Sequence, residues 1–217
     1  MQEQTFSRLT TQAKILAAAR ELFNEHGVES ITVRHIAKKI GISHGNLCYH
    51  FPRKEDIIIA LYQRVVEGMS AQVGHFEPKE LRLSMLLGAM TASFALQYEY
   101  KFLMIDFVNI MRRIPEIREN FRVIFEVRKQ QFQAFIGALR EQGVLLKTIP
   151  DAQYDKLLLH TYLIGDFWMS EAEILFVGEE SAKAPFYADL AVSLVFPYLT
   201  AKGRKEYEQF VQTIAGK

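Results

Sequence analysis

The sequence predicts an all-α fold, with a three-helix N-terminal domain followed by a larger helical C-terminal domain. Only 6 of the 217 residues are proline, and no stretch shows the apolar–polar alternation that is typical of β-strands. Apolar residues recur instead at helical spacing along nearly the whole chain. Hydrophobic residues make up 49% of the chain, which is enough to bury one large core or two modest ones.

The composition excludes several classes of site. Cys48 is the only cysteine, so an intrachain disulfide and a cysteine-rich zinc site are excluded, and we predict no metal and no cofactor. Residues 1–14 lack the apolar segment of a signal peptide, and no uninterrupted apolar run approaches about 18 residues. We therefore expect no membrane partner and a cytoplasmic location.

The N-terminal part shows clear helix start and stop signals. Thr32 and Ser43 are predicted N-caps, because a hydroxyl can accept a hydrogen bond from a backbone N–H at a helix start. Gly27 and Gly41 suit the backbone at helix ends, and Pro52 separates the third helix from a long fourth one. The predicted helices here are 11–26, 32–40, 43–50 and 53–75.

Beyond Pro78 the composition shifts to long helices rich in aromatic residues. The predicted helices are 79–98, 100–112, 116–142, 152–177, 184–200 and a short amphipathic tail, 203–214. We predict three regions along the chain: an N-terminal domain 1–52, a connecting helix 53–78 and a C-terminal domain 79–217.

The helix 43–50 is short and has few apolar residues with which to join a core. Leu47 is its predicted anchor, packed among Ile36, Ile40 and Phe51. A helix, a tight turn containing glycine and a second helix form the helix-turn-helix arrangement, and 32–50 matches it in length. The second helix of such a unit lies in the major groove of DNA, which would explain its polar side chains.

Positive charge is concentrated in the same segment. The net charge of the chain is only +1, yet the window from Thr32 to Lys54 contains no acidic residue. Its basic residues are Arg34, Lys38, Lys39, Arg53 and Lys54. Such a patch attracts a polyanion, although a solvated basic face is the alternative explanation.

The helix-turn-helix segment resembles the DNA-binding signature of the TetR family of repressors. The resemblance lies in TVRHIAKKIGISHGNLCYHFPRKED, from Thr32 to Asp56, and in the preceding helix ILAAARELFNEHG. Apolar, glycine, aromatic and lysine positions all fall in register over about residues 10–60. The resemblance implies an N-terminal helix-turn-helix domain and a C-terminal helical domain for ligand binding and dimerisation.

The resemblance also implies DNA contacts for particular residues. Arg34 matches a position that reaches a base or a phosphate, and a guanidinium can hold guanine O6 and N7 through two bonds. His44, Gly45 and Asn46 match the first turn of the helix that contacts bases, and Tyr49 matches an aromatic position against a thymine methyl or the sugar–phosphate edge. The full predicted set is Thr32, Arg34, Ser43, His44, Gly45, Asn46, Tyr49, His50 and Lys54.

Phosphate contacts are implied for Thr32, His50 and Lys54. Lys54 lies in the first turn of the next helix, whose free N–H groups also favour an anion. Cys48 departs from the family pattern, since a tyrosine is common there, so we expect a small buried apolar residue without a phosphate contact.

A small-molecule site is predicted in the second domain. The run from Phe102 to Met111 is apolar almost all round, which is typical of a buried helix, and Asp106 and Asn109 share one of its faces. Aromatic and methionine side chains with a few polar groups are typical of ligand sites, although such residues also form ordinary cores. The predicted ligand residues are Met90, Phe94, Phe102, Asp106, Asn109, Tyr162, Asp166 and Trp168.

Helices 152–177 and 184–200 carry more apolar surface than one chain can bury. The residues concerned are Leu157, Leu158, Tyr162, Ile164, Leu190, Leu194, Phe196 and Tyr198. The resemblance implies a homodimer through a four-helix interface of these segments. A two-fold dimer contacts two half-sites, so the expected partner is double-stranded, palindromic operator DNA.

The predicted function is a homodimeric repressor that a small-molecule effector releases from its operator. A constitutive or architectural DNA-binding protein without a ligand is the alternative. An enzyme is the third hypothesis, and Cys48 with His44 or His50 is its only nucleophile–base cluster. That stretch shows no cleft, no orienting acid and no oxyanion donors, so we predict no catalytic residue.

Overall fold

The computed structural model describes residues 10–73 and 80–215, and every regular element in this part of the chain is helical. The helices are α1 (Thr11–His26), α2 (Val33–Lys39), α3 (His44–His50), α4 (Lys54–Val73), α5 (Leu83–Glu99), α6 (Lys101–Ile105), α7 (Phe107–Arg113), α8 (Pro115–Glu141), α9 (Asp151–Leu175), α10 (Glu180–Ser193) and α11 (Ala201–Ala215). A short 3-10 turn, Phe196–Tyr198, precedes α11.

The predicted helix 100–112 is wrong as a single element. The chain breaks at Asp106, where φ is −93° and ψ is 16°, and forms α6 and α7 instead. The expectation that this segment is buried all round is also wrong, because Ile105 and Val108 are 43% and 45% exposed. An apolar run therefore overstates burial here, since its two halves turn different faces outward.

The predicted helix 184–200 is displaced. It begins at Glu180 and ends at Ser193, and Pro185 lies inside it. Pro185 is the sixth residue of this helix and has no N–H to donate to the preceding turn, yet the helix continues through it, so the proline does not mark the beginning. The last residues predicted for the helix 53–75 lie outside the described residues.

Side-chain caps set the boundaries of α1, α2 and α3. The hydroxyls of Thr10 and Ser43 accept hydrogen bonds from the N–H groups of Ala13 (3.2 Å) and Asn46 (3.1 Å). Gly41 follows α2 with φ of 71°, a left-handed conformation that suits glycine. These caps fix the helix-turn-helix locally, as the sequence predicts.

The described residues divide into two compact units. Unit 1 extends to Gly68 and also includes Tyr100–Arg118, and unit 2 consists of Met69–Glu99 and the chain from Glu119 onward. The predicted region boundaries differ from these units, because they assign 100–118 to the C-terminal part.

Unit 1 is completed by α6 and α7, which pack against α1. Phe102 is 2% exposed, and its ring centroid lies 5.2 Å from that of Phe23. The Phe102 N–H also donates to Asn24 Oδ1 at 3.1 Å. Arg113 adds ion pairs to Glu29 (2.6 Å) and Glu55 (2.9 Å). Exposed ion pairs contribute about 0–1 kcal/mol each, so the buried rings hold this docking more strongly than the charges do.

Unit 2 has its own core. Leu83, Leu87, Leu139 and Leu145 are fully buried at its centre, and Leu157 of α9 is 1% exposed. The α8–α9 loop also pairs with the segment before α11: the Leu146 N–H donates to Tyr198 O, and the Thr200 N–H donates to Val144 O.

Gly203 lets α11 approach the α8–α9 loop closely. A Cβ at this position would lie 2.3 Å from Val144 O. We expect Gly203→Ala to destabilise the protein by about 1–3 kcal/mol, because the backbone must move, even though alanine favours a helix. Urea unfolding of purified protein measures the difference.

Gly137→Ala in α8 is the matched control. A Cβ there has no neighbour within 4 Å, so this variant should be more stable than wild type by up to about 1 kcal/mol. Equal destabilisation by both substitutions would contradict the close contact at Gly203.

Candidate nucleic-acid interface and ligand site

Helix α3 is held in unit 1 by one side chain. Leu47 is its only buried residue, at 0% exposure. His44, Gly45 and Asn46 are exposed along the first turn, and Tyr49 is 84% exposed. This face can enter a groove because none of these side chains is needed in the core.

The capping hydroxyls can still reach a phosphate. Thr32 Oγ1 accepts from the His35 N–H, and His35 Nδ1 accepts from the Thr32 N–H, each at 3.4 Å. Ser43 Oγ accepts from Asn46 in the same way. A capping hydroxyl uses its oxygen, so its own O–H remains able to donate to a phosphate oxygen.

The predicted basic patch is smaller than its composition indicates. Lys39 Nζ lies 3.0 Å from Glu21 Oε2, and Arg53 lies 2.7 Å from Asp56 Oδ1. The Arg53 hydrogen bond holds the pKa of Asp56 below its usual range. Arg34, Lys38 and Lys54 form no ion pair with the described residues, and of these Arg34 and Lys38 are exposed in α2.

Lys54 stabilises the fold as well as being a predicted phosphate ligand. Its Nζ donates to Val28 O at 2.8 Å and to Ile31 O at 3.0 Å, so it holds the α1–α2 loop against the start of α4. One N–H of the ammonium remains for a phosphate. No local pattern could reveal this role, because the carbonyl partners lie 23 and 26 residues away in sequence.

Cys48 is half-buried, so it is less enclosed than the buried apolar residue expected at this position. Its Sγ lies 3.4 Å from His44 Nε2, one helical turn away. His50 is also half-buried, and its ring meets that of Tyr49 edge-on at 5.3 Å.

The predicted ligand residues fall into two groups. Phe102, Asp106 and Asn109 belong to unit 1, where Phe102 is part of the core. Asp106 is half-buried at the break between α6 and α7, and Asn109 is exposed. Asp106 and Asn109 do not share a helix face, because Asp106 lies at the break, outside both helices, and Asn109 lies in α7.

The remaining five candidates belong to unit 2. Phe94 and Trp168 are buried with ring centroids 5.4 Å apart, and the Trp168 indole N–H donates to Gln97 Oε1 at 2.6 Å. Met90 is half-buried against the unit 2 core. These three side chains are satisfied within the fold, which sets them apart from Tyr162 and Asp166.

Tyr162 and Asp166 lie one turn apart on α9, both half-buried. The Phe125 ring of α8 meets the Tyr162 ring edge-on at 4.8 Å. Burial raises the pKa of Tyr162 to about 12 and that of Asp166 to about 7. No hydrogen bond or ion pair reaches the Asp166 carboxyl from the residues that the structure describes.

An apolar stripe remains exposed on α9 and α10. Leu159, Leu163 and Phe167 recur every four residues on α9 with exposures of 49%, 60% and 43%. Phe186 and Leu190 have the same spacing on α10, at 50% and 43%. Of the residues predicted for an interface, Leu190 and Phe196 are exposed, Leu157 and Leu158 are buried within the chain, and Tyr162, Ile164, Leu194 and Tyr198 are half-buried.

The acidic, histidine and cysteine side chains of residues 10–73 and 80–215 bear on metal binding, and the helices of these residues bear on membrane insertion. This part of the chain contains no group of three or more histidine, cysteine, aspartate or glutamate side chains arranged to hold a metal ion. Among its helices, none has the length and apolar character required to cross a membrane.

Two family models match adjacent parts of the chain. Residues 15–61 match the family described as "Bacterial regulatory proteins, tetR family", and residues 64–207 match the one described as "Bacterial transcriptional repressor". The HTH-type transcriptional repressor AcnR of Corynebacterium diphtheriae is 28% identical over 156 residues, which cover 69% of this chain and 73% of that protein.

Solved structures share the fold. A TetR-family transcriptional regulator from Marinobacter aquaeolei VT8 matches with a TM-score of 0.84 at 24% identity, over 94% of this chain and 98% of that one. The SmeT–triclosan complex matches with a TM-score of 0.61 at 19% identity, over 88% and 92% of the two chains.

The raised pKa of Asp166 makes stability depend on pH. The folded chain keeps this proton up to about pH 7, whereas an unfolded aspartate releases it near pH 4, so stability should fall as pH rises between the two. Asp166→Asn has no charge to bury. We expect its stability advantage over wild type to grow across this interval, by at most about 1.4 kcal/mol per pH unit.

Denaturant unfolding at a series of pH values measures this difference. Glu208→Gln removes an exposed carboxylate of α11 and should differ little from wild type throughout. An Asp166→Asn advantage that does not change with pH would show that the carboxyl is not desolvated.

Proposed function

We propose that this chain, which belongs to the TetR family of bacterial transcriptional regulators, represses transcription as a homodimer that a small molecule releases from operator DNA. The observation that carries the proposal is the composition of α3. Residues 43–46, which are polar or glycine, are exposed. Tyr49 is exposed as well, while Leu47 alone anchors the helix. The core uses only Leu47 of this helix, so its other side chains are available to contact DNA.

The exposed residues fit two kinds of DNA contact. His44, Asn46 and Tyr49 are suited to base edges, since an amide can bond adenine N6 and N7 and a ring can cover a thymine methyl. Arg34 and Lys38 are suited to phosphates, because no acidic partner neutralises either of them among the described residues. Gly45 would allow close approach, since only Ser43 Oγ lies near its missing side chain, at 4.0 Å.

The exposed stripe on α9 and α10 supports the homodimer. Contiguous exposed apolar side chains at helical spacing are typical of a surface that another helix covers. A second copy would bury the stripe and present two α3 helices to two half-sites. The expected operator is therefore palindromic double-stranded DNA.

The effector response rests on unit 2. The unpartnered Asp166 and the Tyr162–Phe125 rings provide polar and apolar groups together, as ligand sites do. The SmeT structure contains triclosan, so a chain of this fold can hold a small organic ligand. We place the protein in the cytoplasm, where operator DNA lies. We propose no catalytic activity. A ligand-responsive repressor is preferred over a constitutive DNA-binding protein because unit 2 contains this candidate site.

Asn46→Ala tests the assignment of α3. Loss of the amide should remove discrimination at one position of each half-site, lowering the mismatch penalty from about 1–3 kcal/mol toward zero. Selection from a random DNA library with wild type and variant measures this change.

Lys38→Ala is the matched contrast. Loss of a phosphate contact should weaken binding to all sequences alike and lower the salt dependence by about one unit, without changing the selected motif. An unchanged motif for Asn46→Ala would contradict its role at a base edge.

Leu163→Arg tests the dimer. A cation without a partner would be buried in the interface, so this variant should sediment as a monomer and lose operator affinity while unit 1 remains folded. Val123→Arg is the control: Val123 on α8 is similarly exposed, at 63%, but lies on a different helix, and its substitution should leave association intact. Wild type that is monomeric at micromolar concentration would contradict the dimer directly.

A further inference from the structure

We propose that the effector is an organic cation, an amine on an apolar skeleton, and that the carboxylate of Asp166 pairs with its charge beside the ring of Tyr162. The inference rests on the proposed function, because it specifies the chemistry of the ligand that unit 2 would bind. It is carried by a cluster on the facing parts of α8 and α9.

The cluster combines one acid with an aromatic pair. Asp166 follows Tyr162 by four residues, so both side chains leave α9 on the same face. Phe125 of α8 meets the Tyr162 ring edge-on at 4.8 Å, so two aromatic rings lie on the same side of α9 as the acid. An ammonium group beside such a carboxylate would gain a charge-assisted hydrogen bond and the attraction of the ring electrons.

The described residues of the chain provide no cation for Asp166. Arg128 is the cation whose charge acts on Tyr162, and its guanidinium donates to Gln131 Oε1 and to Ser70 Oγ, each at 2.9 Å. The pKa of Asp166 is raised by burial alone, so neither a positive charge nor a hydrogen-bond donor offsets its desolvation. Such a carboxyl keeps its proton when it is unpaired, and a cation from outside the chain would stabilise its ionised form.

The buried charge among the described residues of unit 2 has partners within the chain. Lys183 is the buried charged side chain of this unit, and its Nζ lies 3.0 Å from both Glu173 and Glu180. Its ammonium charge is therefore compensated by carboxylates of the chain itself. Asp166 differs from Lys183 because no described residue pairs with its partly buried charge, and an unpaired carboxylate favours positive ligands over neutral or negative ones.

Three probes of one skeleton test this preference: 4-phenylbutylamine, 4-phenylbutanol and 4-phenylbutyrate, which are positive, neutral and negative. Calorimetric titration at about pH 8 keeps Asp166 ionised. We expect wild type to bind the amine about tenfold or more tightly than either other probe. Asp166→Asn should bind the amine no better than the alcohol, and Glu208→Gln should keep the wild-type preference.

Asp166→Asn removes a charge from a desolvated position and should melt no lower than wild type. If its circular dichroism matches wild type and its melting temperature is not lower, loss of binding cannot be attributed to unfolding. Failure of all three probes to bind, equal affinity for the amine and the alcohol, or an amine preference that persists in Asp166→Asn would each overturn the inference.

Titration of the amine with and without operator DNA tests the proposed function separately. Reciprocal weakening of DNA and amine binding by the same factor supports a ligand response. A charge preference at Asp166 with no effect of operator would support the site and overturn the proposed release from DNA. Release from DNA by a neutral or anionic compound, but not by the amine, would support the proposed function and overturn the assignment of the effector as an organic cation.

Discussion

The burial of Leu47 is the contact on which the exposed face of α3 depends. Seven residues make fewer than two turns of helix between the Ser43 cap and Phe51, and an isolated helix of this length is unstable in water. One fully buried leucine contributes about 1.5–3 kcal/mol, and the Ser43 cap about 1 kcal/mol more. With stability supplied at these two positions, the other side chains of α3 need not pack, and their chemistry can serve recognition.

Local signals made this part of the fold predictable. The caps at Thr32 and Ser43 accept from backbone N–H groups three residues ahead, and Leu47 is the single aliphatic residue of α3, so spacing alone locates them. Long-range contacts remained hidden. Lys39 pairs with Glu21 across two helices, and Lys54 binds carbonyls of a distant loop, so a count of basic residues overstated the free positive charge. The TetR resemblance identified the role of the segment, but not which of its lysines the fold already uses.

Unit 2 shows the same division between features that the sequence predicts and contacts that only the fold reveals. Aromatic composition predicted which helices carry candidate ligand residues, and α9 does bring Tyr162 and Asp166 onto one face. Composition could not distinguish Trp168, whose indole is satisfied by Gln97, from Asp166, which lacks a partner. It also could not separate Phe102 from this group, because the partner of that ring, Phe23, lies 79 residues earlier and belongs to unit 1.

The docking of Phe102 on Phe23 has a consequence for biosynthesis. Unit 1 is discontinuous in sequence: the chain leaves it after Gly68 and returns at Tyr100. On the ribosome, α1–α3 therefore emerge with the Phe23 surface uncovered, and at about 5–20 residues per second the covering segment follows some seconds later. During this interval the nascent helix-turn-helix exposes an apolar patch to chaperones. A fragment truncated at Gly68 would lack the segment Tyr100–Arg118 and would therefore keep that patch uncovered.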